Sequence, residues 1–340
     1  MNRYRNADTS AAGNLDLAST EARLTRFGSF AVKILAILML STLLPARASH
    51  PSTSDQEITQ KKMVLRATLH NGLQVVIVPN RLAPVATIVV NYEVGSNQAP
   101  DHFPGTAHAL EHMMFRGSPG LSGEQLANVT ASIGGFFNAD TQQTVTQYFF
   151  TVPVQDLDVA LHIESLRMRG ILADEKSWKQ EKGAIEQEVA RDYSSPEYIF
   201  YTQLLAAMFK GSPYAHDALG THASFEKTTG PMLKKFYDTW YAPNNATLII
   251  VGDVQPEHAL ALIKKRFGNI PAKKIPERSK VRLEPITPET IRLKSDLPYG
   301  LFIDAFRLPG YDSPDFAASQ VLADVMNSPC GDLYQLAAEG

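Results

Sequence analysis

Two histidines stand four residues apart in the stretch HALEH, His108 to His112, with Glu111 between them. On an α-helix residues i and i+4 share a face, so both imidazoles can address one ion. Glu111 is at i+3 from His108, on the edge of that face, where it could approach a metal-bound water without being a ligand. Zinc lowers the pKa of bound water from about 15.7 to about 7, so a neighbouring carboxylate can take its proton. The order H-x-x-E-H reverses the commoner H-E-x-x-H and supplies the same three groups. The competing reading is a solvated helix that carries these residues by chance. His102, upstream in DHFPG, reads as a loop histidine.

A catalytic zinc wants three protein ligands and one open position. The third should be an acid or a histidine on another element facing the first helix. Residues 177–192 offer Glu181, Glu186, Glu188 and Asp192. Glu181 and Glu188 are two helical turns apart, so they line one stripe. One could bind the metal while the other orients a ligand or water from behind. Acidic stripes of this kind also occur on helices for solubility alone.

The elements that must hold these groups follow from period and punctuation. Residues 64–80 read as two strands joined by a turn at Asn71-Gly72, and residues 85–96 as a third, β-branched strand. A helix from Gly105 to about Arg116 carries HALEH. The next, Ser122 to Ile133, stops at Gly134-Gly135. FFNAD and TQYFFTVP read as short strands, followed by helices at 155–169, 175–192 and 197–209. A helix at 231–240, the strand 246–254 and an amphipathic helix at 256–267 complete the block. Residues 269–288 hold four prolines and mixed charge and read as a linker. Beyond it the pattern restarts, with LFIDAFRLPG as a strand and SPDFAASQVLADVM as a helix. Aligned on LEHMM and LADVM, His108, Glu111 and His112 face Gln320, Ala323 and Asp324. The second copy would keep the scaffold and lack the site.

The chain has 340 residues, enough for two ordinary domains, and is 44% hydrophobic and 20% charged, a globular composition. A formal net charge of -3 gives no general pull towards nucleic acid. One cysteine, Cys330, excludes an internal disulfide framework and a Cys-rich zinc module. The apolar run Ile34 to Leu44 follows Arg23, Arg26 and Lys33 and precedes the small-x-small site Ala46–Ala48. Residues 1–48 therefore read as a secretory signal peptide and 49–63 as a flexible lead-in. The expectation is an exported, periplasmic protein with no other membrane segment; the alternative is anchoring by an uncleaved signal. A mitochondrial transit peptide fits less well, because Asp8, Asp16 and Glu21 interrupt the basic segment.

HALEHMMFRGS, GGFFNADTQQTVTQYFF and EKGAIEQEVARD, in that order, resemble peptidase family M16, which includes insulin-degrading enzyme, pitrilysin and the mitochondrial processing peptidase β subunit. The family signature is H-x-x-E-H with a glutamate 76 residues after the second histidine; counted from His112, that position is Glu188. A further family glutamate, seven residues before that ligand, matches Glu181. The likeness runs from about residue 64 to the end of the chain. It implies one zinc ion per chain on His108, His112 and Glu188, with Glu111 as general base and Glu181 acting from behind a ligand. Asn138 matches a family asparagine that bonds substrate backbone, and its strand would be the edge to which a peptide adds. The alternative for Asn138 is a plain turn residue.

The fold implied is α+β, a largely antiparallel sheet with helices on one face, followed by the start of a second similar unit. The zinc-bearing unit would span 64–268, and 289–340 would be the incomplete second unit of a chain truncated at its C-terminus. The activity implied is zinc-dependent endopeptidase cleavage of short or unstructured polypeptides. The alternative is a non-catalytic chamber or assembly subunit. A homo- or heterodimer with another family subunit is the partner expected, because members of this kind close a chamber around the peptide. An Arg/Tyr pair that the family supplies from a later unit has no counterpart among these residues.

Overall fold

β-branched and aromatic residues at alternate positions build the frame. The computed structural model describes residues 64–278, 280–329 and 331. The expected signal peptide and lead-in lie outside the described residues. Leu65–Thr68 (β1) and Gln74–Pro79 (β2) form an antiparallel hairpin. Its turn depends on Gly72, whose φ of +87° and contact with Asn244, 2.6 Å from the place a Cβ would occupy, exclude a larger residue. Asn71 does more than turn the chain. Its buried side-chain amide donates to the carbonyls of Phe267 and Ile270 at 2.9 and 2.8 Å, tying the hairpin to the end of a distant helix.

Val85–Tyr92 (β3), Phe136–Thr141 (β6), Thr146–Pro153 (β7) and Ala246–Gly252 (β8) complete a six-stranded sheet in the order β1-β2-β8-β3-β7-β6. Only the β2–β8 pair is parallel. Gly117–Ser118 (β4) and Leu121–Ser122 (β5) make a small separate hairpin that the sequence did not announce. On one sheet face Val75, Ile77, Ile88, Val90, Phe150, Leu248 and Ile250 are fully or almost fully buried. Against that core pack Thr106–Met113 (α1), Leu157–Arg169 (α3), Glu175–Asp192 (α4), Gly230–Trp240 (α7) and Pro256–Phe267 (α8). Gly123–Ser132 (α2), Pro196–Met208 (α5) and His222–Phe225 (α6) lie between them in sequence.

Local signals explain the helix limits. Ser122 and Gln125 form a reciprocal capping box at the start of α2, and Gly134 beyond its end has φ of +66°. Asp174 caps α4 by accepting from the Ser177 amide at 2.9 Å. Ser195 caps α5, with Pro196 in its first turn.

The C-terminal stretch departs from expectation. Phe316–Met326 forms the expected helix (α9), but the strand expected over 301–310 is not formed. Leu301, Phe302, Ile303, Phe306 and Leu308 are exposed. A strand is stable only against a neighbour that takes its N–H and C=O groups, and no described strand lies beside this one.

Candidate metal centre

α1 enters the core through a glycine. Gly105 has φ of +85°, and an added Cβ would meet Gly220 Cα and the Phe225 ring at 2.7 Å, so only glycine lets the helix start here. His108 and Glu111 are consequently buried in the interior, while His112 is partly exposed.

Each imidazole is fixed by its Nδ1. His108 Nδ1 donates to the Leu219 carbonyl at 3.0 Å, and His112 Nδ1 donates to Glu181 Oε1 at 2.9 Å. With both Nδ1 atoms engaged in this way, each Nε2 is the ring nitrogen left to face Glu188, the division of roles that metal-ligating histidines use. The two Nε2 atoms are 3.2 Å apart, and Glu188 Oε2 lies 3.3 Å from that of His112 and 3.5 Å from that of His108. Ligand atoms at about 2.0–2.2 Å from a tetrahedral zinc ion stand about 3.3–3.6 Å from one another. The His/His/Glu donor set has the spacing and the chemistry for such an ion.

The electrostatics show the same convergence. Hydrogen bonds from His108 and His112 hold the Glu188 carboxyl far below its usual range. Burial opposes charge on His112, yet the Glu181 and Glu188 carboxylates outweigh it and push the imidazole up to about 9. The His112 contact, together with the Arg116 guanidinium, holds Glu181 low against burial. Burial pushes Glu111 up, opposed by the Thr141 hydroxyl and the two histidines.

Of the four acids weighed as ligands at 177–192, the remaining two, Glu186 and Asp192, turn elsewhere. Asp192 pairs with Arg191 at 2.9 Å. Glu186 meets His222 Nδ1 at 3.1 Å on the more exposed side, where Lys182 already bridges to Glu226 at 2.6 Å. Asn138 lies on β6, the edge strand, exposed, with its carbonyl oxygen accepting from the Ala139 amide at 2.9 Å.

Three contacts were not foreseen. Thr141 donates to Glu111, Arg116 grips Glu181, and the Leu219 carbonyl holds His108. Period-2 alternation from Phe137 through Ala139 to Thr141 puts Thr141 on the helix-covered face, and Arg116 is four residues after His112. The Leu219 carbonyl is a backbone atom and leaves no mark in the sequence.

Residues 74–222 match the family model described as insulinase (peptidase family M16), and 228–339 match that of the peptidase M16 inactive domain. The two matches meet ahead of β8, so the sheet draws strands from both. The zinc protease PqqE of Helicobacter pylori is 31% identical over 205 residues, 60% of this chain and 46% of that protein. A probable mitochondrial-processing peptidase subunit beta of Arabidopsis thaliana is 27% identical over 264 residues, 77% of this chain and 50% of that protein. The crystal structure of the periplasmic protease PqqL from Escherichia coli superimposes with a TM-score of 0.62 at 27% identity, covering 66% of this chain and 26% of that one. The chain thus spans about half the length, or less, of these relatives. With an H-x-x-E-H helix facing a glutamate on α4, and both matches drawn from one family across most of its length, the chain belongs to peptidase family M16.

Proposed function

We propose that this chain is the metal-bearing part of a zinc-dependent endopeptidase acting on short or unstructured polypeptides. The observation that carries the reading is the meeting of His108 Nε2, His112 Nε2 and Glu188 Oε2 beside the buried carboxylate of Glu111. His108, His112 and Glu188 would hold one zinc ion, and Glu181, backed by Arg116, orients His112 from behind. When bound, the ion supplies Lewis-acid polarisation of the scissile carbonyl and a lowered pKa for the attacking water. Glu111 takes the proton of that water and returns it to the leaving amine, a role suited to a carboxyl group raised by burial. Asn138 and the free edge of β6 receive the peptide as an added strand.

The zinc-bearing unit of this proposal is 64–268, with 269–288 as the linker and 289–340 opening the second unit. Export to the periplasm accords with residues 34–48 and with the periplasmic PqqL relative. No helix among the described residues is long and apolar enough to cross a membrane. A second reading, a non-catalytic subunit of a heterodimer, draws on the match of 228–339 to an inactive domain and on a relative that is itself a subunit. Glu111→Gln separates the two readings. The endopeptidase reading expects the variant to bind zinc as the parent does and to cleave a quenched peptide at least about 1,000-fold more slowly. Equal cleavage by variant and parent would overturn it in favour of the subunit.

A further inference from the structure

We infer that Thr141 is a positioning residue for Glu111, holding one carboxylate oxygen so that the other is left to carry the proton. The inference rests on the endopeptidase reading above.

Glu111 is buried on α1, and the Thr141 hydroxyl at the end of β6 donates to its Oε2. Among the described residues no other donor reaches this carboxylate, so Oε1 is free of hydrogen bonds. The terminal torsion of a glutamate is broad, and without a fixed donor the two oxygens exchange places readily. A hydroxyl committed to Oε2 removes that freedom. It also survives the chemistry: when Oε1 takes a proton, Oε2 becomes the carbonyl oxygen of the acid and still accepts.

The donor is itself held firmly. Thr141 lies opposite Thr146 in the β6–β7 ladder, and the Gln142 amide closes the turn on the Val145 carbonyl at 2.9 Å. Thr146 is fully buried, and its hydroxyl donates to the Val94 carbonyl at 2.9 Å. The strand that anchors the base is also the one that carries Asn138, three residues earlier. Peptide docking on β6 and the aim of Glu111 therefore share one rigid element.

Two substitutions separate the hydroxyl from the shape of the side chain. Thr141→Val keeps the branched shape and loses the donor, whereas Thr141→Ser keeps the donor and loses a methyl. In the full-length protein, Thr141→Val should lower kcat by about 10–100-fold, with KM and zinc affinity close to the parent's. Thr141→Ser should retain most of the parent's kcat. A packing role would reverse that order, and parent-like turnover in Thr141→Val would overturn the inference. Melting temperatures of the zinc-free protein give a readout independent of turnover. The shift caused by Thr141→Val should shrink in a Glu111→Ala background, and additive shifts would mean that the two groups are not coupled. If Glu111→Gln cleaves as the parent does, the endopeptidase reading fails by itself, and the melting cycle still decides the Thr141 contact.

Discussion

α1 and α9 are the two helices that the sequence sets against each other, and they meet opposite fates. Seven of the eight residues of α1 are buried, whereas Ser319 alone is buried among the eleven of α9. Val321, Leu322 and Val325 on α9 are exposed. Gln320 and Asp324, the counterparts of His108 and His112, are exposed as well. Helical spacing puts groups on one face in both. Only α1 is enclosed by the sheet, α4 and α7, and only there does removal of water strengthen every charge interaction. A face becomes a candidate site when a second element brings a carboxylate to it, as α4 does with Glu188.

The contrast is open to attack through stability. Leu110 on α1 is fully buried, and Leu110→Ala should cost about 2–5 kcal/mol through lost burial and the cavity left behind. Leu322 on α9 is half exposed, so Leu322→Ala should stay within about 0.5 kcal/mol. Thermal or urea unfolding of the two variants measures both. Equal losses would mean that α9 is packed as tightly as α1 and would dissolve the contrast.

Much of the frame was legible in the sequence because its signals are local. The limits of α4 and α8 agree with the apolar period and with their Asp174 and Pro256 starts. HALEH lies on a buried helix, and Glu181 and Glu188 both face it. The insertion of β8 between β2 and β3 was not legible, because it joins residues more than 150 positions apart and no local pattern encodes such a pairing. The expected strand at 301–310 failed for the complementary reason, since alternation describes a surface that wants a partner and cannot supply one. The Leu219 carbonyl on His108 was hidden because every residue owns such a group.

A smaller effect sharpens the same point from the solvated side. Asp158 and Arg266 join α3 to α8 through two hydrogen bonds, at 2.7 and 2.6 Å, near the surface. The Arg266 contact holds the Asp158 carboxyl below its ordinary value. A depressed folded pKa adds stability above the unfolded value, near 3.9, and that stability is lost as pH falls through the folded one. Because the pair is largely solvated, Asp158→Asn should cost about 0.2–1 kcal/mol at pH 7 and less at pH 2. Unfolding at the two pH values checks this, and an undiminished loss at pH 2 would assign the effect to packing instead.

The central claim is that two imidazoles from α1 and one carboxylate from α4 form a single cation site. Equilibrium zinc titration of the parent, Glu188→Gln and Asp324→Asn tests it most directly. The account predicts one tightly bound zinc per parent chain, binding weakened by about 100-fold or more in Glu188→Gln, and no change in Asp324→Asn. Parent-like zinc affinity in Glu188→Gln would contradict it.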